Sequence, residues 1–358
     1  MRAAVFTEPG KPLLIEEVTP LPPGPGDAVV EISASGVCHT DLSVLEGALP
    51  YPPPLVLGHE ACGTVTWVGD QVTTVKVGDQ VISSPDPMCR ECWFCIHGQP
   101  NLCSALYLPP AHRVKRPDGS GAFAFSGLGT FAEQMVVDQA YLVPVHTDLP
   151  AAELALIGCG VTTGVGAVVN TAQVRPGATV AVIGCGGVGL AAIQGARLSG
   201  AGRIIAVDLL ESKLSMAAKF GATDLIVPGE ASAEDQVLEL TGGLGVDVGV
   251  EVVGRVETIS SAIAMTRRGG DVVVVGAVPM DAQLQIPAFE FLTSEKRLTG
   301  SAFGSSDIRR DFPRFVRLVE TGQLDLAGLI SATIDLSEVN MALEALKNGQ
   351  AIRSVIVR

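Results

Sequence analysis

Four cysteines fall close together, as Cys89-x-x-Cys92-x-x-Cys95 with Cys103 eight positions further on. Four thiolates close a tetrahedral site and leave no position for water or substrate, which is what a structural zinc site requires. Iron–sulfur clusters also use cysteine-rich runs. Nothing else in the chain implies a second electron carrier, so zinc is the favoured reading. A second, dispersed set carries different chemistry. Cys38 lies in GVCHTD, His59 and Glu60 in GHE, and Cys159 in GCG. Alone, Cys38 reads as a small buried hydrophobe and His59 as a hydrogen-bonded core histidine. Together, two thiols, an imidazole and a carboxylate suit zinc. Three protein ligands leave one position open for a reactant. An ion so held is a Lewis acid that acidifies a bound hydroxyl or polarises a carbonyl.

The third stretch that could do chemistry is Gly184-Cys185-Gly186-Gly187-Val188-Gly189, a G-x-G-x-x-G. The apolar run ATVAVI precedes it, and VGLAAIQGARLSG, with helical spacing, follows it. Strand, glycine turn and helix in that order are the setting a dinucleotide fingerprint needs. The first glycine allows the tight turn, the second lets backbone approach a pyrophosphate, and the third lets helix pack on strand. The helix N-terminus offers free N–H groups and partial positive charge to phosphates. Asp208 closes the next strand, RIIAVD, nineteen positions after Gly189. An acid about 20 residues on accepts hydrogen bonds from ribose hydroxyls and repels a 2′-phosphate, which favours NAD over NADP. Glu211 adds to the repulsion and Lys213 partly offsets it. Cys159 stands near the start of the same continuous stretch, so the expectation is that it carries a metal ligand to where the nicotinamide must lie.

The elements that position these residues follow from pattern. Residues 1–35 hold short alternating strands, RAAVFT, LLIEEV and DAVVEISAS, punctuated by PLPPGPGD. CGTVTWVG, VKVGDQVI and GTFAEQMVVD continue the β-rich domain, assigned to 1–159. Residues 86–104 form a metal-held lobe with little core of its own. Residues 104–129 read as a turn-rich surface excursion near the substrate entrance. AAELALIG reads as a short helix leading to Cys159. From 160 to 303 helices and strands alternate, with ESKLSMAAKFGA, EDQVLELTGG and VETISSAIAMTRR as helices, the last stopped by Gly269-Gly270. That alternation makes a parallel, doubly wound α/β sheet. Residues 304–358 are expected to return to the first domain.

A length of 358 residues suits two domains. The net charge of −14 argues against sequence-independent nucleic-acid binding, which needs clustered Lys and Arg, and against anionic membrane surfaces. The N-terminus has no basic stretch followed by an apolar one, so no signal peptide is read. Every apolar run of spanning length is interrupted by glycine or charge. The expected location is cytoplasmic. Thiols stay reduced there, so the eight cysteines call for metal or catalytic roles before disulfides.

These motifs together resemble the zinc-containing medium-chain alcohol dehydrogenases. The likeness covers essentially the whole chain through GVCHTD, GHE, the four-cysteine lobe, GCGVTTG, GCGGVG and the final IRS. It implies a GroES-like catalytic domain followed by a Rossmann domain, NAD as coenzyme and two zinc ions per subunit. By that likeness Cys38, His59 and Cys159 hold a catalytic zinc with Glu60 as alternate ligand. Cys89, Cys92, Cys95 and Cys103 match the structural zinc set. Asp41 matches the carboxylate that orients a ligand imidazole, and Thr40 the hydroxyl that bonds the substrate alcohol. Thr163 and Val188 match nicotinamide contacts, His39 and Arg353 groups near the pyrophosphate, and Arg255 a group near the adenine. Ser43 stands where many relatives carry a histidine that ends a proton relay, which leaves water to complete the path here. The activity implied is reversible hydride transfer between a primary or aromatic alcohol and NAD. GCGVTTGVGA and GCGGVG also point to the class that includes thiol-dependent formaldehyde dehydrogenases, the second reading. A non-catalytic NAD(H)-binding protein is the third. A small-molecule substrate and a homo-oligomer, dimer or tetramer, are expected as partners.

Overall fold

Alternation in DAVVEISASG puts Ala28, Val30 and Ile32 on one face of a ten-residue strand, Asp27–Gly36, and buries all three. The computed structural model, which describes residues 1–107 and 110–358, builds a sheet around this strand. Its order is Leu142–Val145, Gln80–Ser83, Ala61–Val68, Asp27–Gly36, Arg353–Val357, Ile330–Ile334, and Gln134–Asp138 also pairs with Asp27–Gly36. Val65, Val81, Met135 and Leu142 fill the same core. Each such side chain contributes roughly 1.5–3 kcal/mol on full burial. The C-terminal strand Arg353–Val357 runs antiparallel to Asp27–Gly36, with Val355 opposite Gly36. That pairing brings Arg353 beside the segment that leads into Cys38.

A second sheet of six strands contains Arg2–Phe6, Leu55–Val56 and Gly121–Ala124. Phe6, Leu57, Phe125 and Phe131 pack there with Val339, Leu343 and Leu346 of the helix Val339–Lys347. Part of the 104–129 excursion, at 108–109, lies outside the described residues. The described part is more ordered than the turn-rich composition suggests. His112–Lys115 and Gly121–Ala124 pair antiparallel within the sheet, because Val114, Ala122 and Ala124 are buried.

Residues Met1–Cys159 and Asp307–Arg358 make one unit, and Gly160–Ser306 the other. The second unit is a six-stranded parallel sheet in the order Asp224–Ile226, Arg203–Val207, Thr179–Ile183, Val246–Glu251, Thr266–Val274, Arg297–Gly300. Its strands are continuous apolar runs, as a sheet covered on both faces demands. Two local expectations change. The helix after Arg255 ends at Met265, because Thr266 already pairs with Val246. Gly269 and Gly270 serve a bulge inside that strand, where Gly269 has φ +70°.

The helix expected to be short is a single helix, Ala151–Thr171. Its glycines do not end it because close packing uses them. A Cβ at Gly158 would stand 2.7 Å from Ser83 O, and one at Gly164 only 2.2 Å from Val188 O. By length and apolar composition this helix could cross a bilayer, which the reading of glycine as an interruption had set aside. Its most apolar window is 72% buried inside the protein, as a core helix is.

Candidate active site

Asp41 organises the first site. It lies in the first turn of the helix His39–Leu45, whose N-cap is Cys38, and is fully buried. Asp41 Oδ2 accepts from Cys38 N at 3.1 Å, and Oδ1 accepts from Gly58 N at 3.0 Å. The same Oδ1 stands 3.2 Å from His59 Nδ1. One carboxylate therefore ties together both loops that carry ligand candidates. It takes the Nδ1 hydrogen of His59, which leaves Nε2 with a lone pair. His59 Nε2 is buried and has no partner among the described residues. The Phe125 ring meets the imidazole edge-on at 5.2 Å, and Tyr51 meets Phe125 at 4.9 Å.

Cys159 arrives from a different element, a π-helical turn at Ile157–Val161. Such turns within α-helices concentrate at functional sites. The ligand atoms of Cys38, His59, Glu60 and Cys159 all lie within 4.8 Å of one another. The two thiols shift each other in opposite directions. The bond from Cys159 pulls the Cys38 thiol well down against burial, with Arg353 and His59 helping. The same bond, then burial, pushes Cys159 well up. Burial opposes charge on His59, but Asp41 and Cys38 outweigh it and raise the imidazole. Burial lifts Glu60 to about 7 although Arg353 pulls the other way.

Glu60 is held from behind. Its Oε1 accepts from Arg353 Nη1 at 3.1 Å, and that guanidinium also donates to Val37 O at 3.3 Å. Glu60 Oε2 is buried without a partner among the described residues. A Cβ at Gly36 would stand 2.2 Å from that oxygen, so the carboxyl fits only beside glycine. Thr40 Oγ1 lies 3.7 Å from Cys38 Sγ. Ser43 Oγ donates to His39 O at 3.0 Å, and His39 itself is exposed.

The cysteine lobe gathers as its spacing implies. Cys89 and Cys103 sulfurs are 3.4 Å apart, Cys92 and Cys103 3.9 Å, and Cys89 and Cys95 4.0 Å. Zinc–sulfur bonds of about 2.3 Å place tetrahedral sulfurs about 3.8 Å apart. Amide hydrogens of Cys89 and Ala105 point at Cys103 Sγ, and that of Cys92 at Cys89 Sγ. Arg90 fastens the lobe with two bonds to Asp307, the N-cap of the helix Ile308–Glu320.

In the second unit Gly184 turns at φ +96°, and a Cβ on Gly189 would collide with Gly184 O at 1.8 Å. A Cβ on Gly186 would meet nothing within 4 Å, so this glycine leaves its side open to an approaching pyrophosphate. Asp208 Oδ2 accepts from Cys185 N at 2.8 Å and Oδ1 from Leu210 N at 3.0 Å, with Lys213 Nζ at 4.0 Å. Asp208 is thus fixed by the glycine turn itself. Gly187 and Val188 begin the helix Gly187–Leu198; Val188 and Thr163 are half-buried. Arg255 is the N-cap of Val256–Met265 and is exposed, with Glu257 at 3.2 Å.

Comparison with known proteins adds to this geometry. The family model described as alcohol dehydrogenase GroES-like domain matches residues 24–147, and that described as zinc-binding dehydrogenase matches 187–321. The chain is 41% identical to the S-(hydroxymethyl)glutathione dehydrogenase of Synechocystis sp., over 99% of both chains. The chain belongs to the zinc-dependent medium-chain alcohol dehydrogenases. Two solved structures of this family share the architecture. An alcohol dehydrogenase zinc-binding domain protein from Burkholderia ambifaria is 31% identical with TM-score 0.95, covering 99% of this chain and 98% of its own. The benzyl alcohol dehydrogenase of Acinetobacter calcoaceticus is 30% identical with TM-score 0.92 at the same coverage.

The dehydrogenase family membership sets aside the non-catalytic reading. Its zinc fits the residues present. The unpartnered His59 Nε2 and Glu60 Oε2 and the adjoining thiols of Cys38 and Cys159 are what a dication satisfies, since metal binding releases protons from its ligands. Arg353, expected near the coenzyme pyrophosphate, is buried in the first unit of the dehydrogenase against Glu60. Gly36, Phe125 and Tyr51 lie outside the sequence-derived site. Gly36 opens GVCHTD, but the motif does not tell that Glu60 needs the space of its missing side chain, and Phe125 and Tyr51 fall in no motif.

Proposed function

We propose that this dehydrogenase oxidises the S-(hydroxymethyl) adduct of formaldehyde with a small thiol, using NAD. The adduct loses a hydride from its hydroxyl-bearing carbon to NAD and a proton from its oxygen, giving an S-formyl thioester and NADH. The observation that carries this reading is the 41% identity to an S-(hydroxymethyl)glutathione dehydrogenase over nearly the full length of both chains. NAD is preferred to NADP because Asp208, fixed to the glycine turn, takes ribose hydroxyls and repels a 2′-phosphate.

Cys38, His59 and Cys159 would hold the catalytic zinc, which when bound supplies a Lewis acid that acidifies a hydroxyl. The chain's own groups do the rest. Asp41 fixes the His59 tautomer. Thr40 Oγ1, beside Cys38, takes the hydroxyl proton. Thr40 passes its own hydrogen to solvent water as it accepts the substrate's, because Ser43 donates its single hydrogen to His39 O and is no base. Arg353 holds the Glu60 carboxyl.

A second reading, oxidation of primary or aromatic alcohols, is supported by the fold's likeness to a benzyl alcohol dehydrogenase and by the Tyr51–Phe125 pair beside His59. NADH absorbance with formaldehyde, with and without glutathione, and with benzyl alcohol separates the two. Thiol-dependent turnover of formaldehyde supports the first. Turnover of benzyl alcohol with no response to formaldehyde and thiol sinks it in favour of the second.

We also infer a homo-oligomer in the cytoplasm. The helix Ala288–Ser294 leaves Phe289 78% and Leu292 71% exposed, beside Arg297–Gly300 at the edge of its sheet. Exposed apolar groups beside an open edge strand favour pairing with another copy. All eight cysteines are unpaired, in keeping with a reducing compartment. Sedimentation velocity tests the first inference: a species of single-chain mass at micromolar concentration contradicts it. Cell fractionation tests the second.

A further inference from the structure

Glu251 is the last residue of the strand Val246–Glu251, opposite Ile183 in one neighbouring strand and Val274 in the other. It therefore stands at the C-terminal edge of the parallel sheet, level with the residue that precedes Gly184. Ligands of doubly wound sheets bind off that edge. Glu251 is fully buried, and a carboxylate is rarely buried unless its bonds are met.

Its bonds go to one turn. Glu251 Oε1 accepts from Val253 N at 2.8 Å, Gly254 N at 2.8 Å and Thr258 Oγ1 at 2.7 Å. These donors span the turn from the strand into the helix Val256–Met265. The main-chain oxygen of Glu251 accepts from Val275 N at 2.8 Å and Gly276 N at 3.1 Å, which belong to the turn after the next strand. The turns also touch one another. A Cβ at Gly184 would stand 2.7 Å from Val253 Cγ2 and 3.1 Å from Val252 Cγ2, and one at Gly276 would stand 2.1 Å from Gly254 N. The turns after three neighbouring strands thus meet around one residue: the Glu251 carboxylate holds the first, its main-chain oxygen holds the second, and Val252 and Val253 pack the first against the third, the glycine turn.

We propose that Glu251 is a positioning residue of the coenzyme site: by gathering the hydrogens of Val253, Gly254 and Thr258 it sets the 252–258 turn against the glycine turn in the shape that accepts NAD. Glu251 touches no reacting atom. It acts through the two turns, and its effect belongs to coenzyme binding and not to the chemical step.

Glutamine is the conservative replacement. Its amide oxygen accepts the same three bonds, and its amide nitrogen falls where Oε2 now has no partner among the described residues. The test is NADH binding by fluorescence titration of the zinc-loaded enzyme, with no substrate present, so that it stands apart from the choice of substrate. Steady-state rates follow with whichever substrate turns over. Charge-assisted hydrogen bonds of this kind carry about tenfold or more in a binding constant when lost. Expected for Glu251→Ala is NADH binding weaker by about tenfold or more, an NAD KM raised in step, and kcat and zinc content within about threefold of wild type. Glu251→Gln is expected to restore binding to within about threefold. A part that served stability alone lowers the melting temperature without separating KM from kcat. Wild-type NADH affinity in a folded Glu251→Ala enzyme overturns the proposal, and so does a Glu251→Gln enzyme as weak as the alanine variant. Should Glu251→Ala not fold, Thr258→Val decides: it removes one of the three bonds, and unchanged NADH affinity overturns the proposal where about threefold weakening supports it.

Discussion

Arg353 Nη1 donates to Glu60 Oε1 at 3.1 Å, and both side chains are buried. The contact joins the C-terminal strand to the GHE motif through the antiparallel pairing of Arg353–Val357 with Asp27–Gly36. It also places a fixed cation behind a carboxyl that is itself part of the ligand cluster. Removing one partner of a buried pair leaves an uncompensated charge and costs about 3–5 kcal/mol. Arg353→Met should destabilise the enzyme by about that much in urea denaturation. Adding Glu60→Gln should recover a good part of the loss. Equal stability of Arg353→Met and wild type would mean that the pair contributes nothing.

Asp41 bonds to Cys38 N, Gly58 N and the His59 ring at once. Partners of this kind typically change metal affinity by about 10–100-fold when lost. Asp41→Ala should weaken one of the two zinc sites by about that factor in a chelator competition and leave the other unchanged. The Cys89–Cys103 lobe is the unaffected site, because Asp41 touches none of its cysteines. Two sites weakened alike would point to general misfolding instead.

The lobe at 86–104 depends on its metal. No described residue there joins the hydrophobic clusters around Phe6, Val30 or Val5, whereas four sulfurs gather in it and the Arg90–Asp307 pair fastens it. Complete chelation should make the backbone of 86–104 susceptible to limited proteolysis while the Gly160–Ser306 unit stays resistant. A lobe cut no faster without metal contradicts this.

Acid should act on the second unit through Asp247. Burial works against its charge, but Thr179 N at 2.8 Å and the Arg267 guanidinium at 2.7 Å more than compensate and hold its pKa below the ordinary aspartate value. A folded pKa below the unfolded one stabilises at pH above the unfolded value of about 3.9, and the contribution is lost as pH falls through the folded value. Asp247→Asn should therefore be less stable than wild type at pH 7, and the gap should shrink as pH falls below the unfolded aspartate value and through the folded one. A stability gap that stays constant from pH 7 to pH 3 rules out this charge as its source.

Much of the chemistry was legible in the sequence because it depends on residue types that few other roles require. Four thiols at C-x-x-C-x-x-C, and a glycine turn between an apolar strand and a helix, specify their own geometry within a short span. The dispersed set of Cys38, His59 and Cys159 was legible through its motifs. What stayed hidden is non-local. Gly36 looks like any strand-ending glycine until Glu60 is seen to occupy the place of its missing side chain. Glu251 ends a strand in a polar residue, as many strands do, and only the converging donors reveal its work. Helix length was misjudged for a related reason. Glycine costs about 1 kcal/mol in a helix, but Gly158 and Gly164 are required by backbone on the facing elements, so packing overrides propensity. The burial of Arg353 against Glu60 follows from a strand pairing that no local pattern announces.

The most direct measurement is zinc content, NADH binding and turnover on one preparation of Cys38→Ala. Cys38 shares a ligand cluster with His59, Glu60 and Cys159 and with none of the lobe cysteines. Expected are one zinc per subunit in place of two, NADH affinity within about twofold of wild type, and turnover at the limit of detection, since three protein ligands are what a catalytic zinc with an open position needs. Two zincs per subunit, or turnover near the wild-type rate, would contradict the assignment of this cluster as the catalytic metal centre.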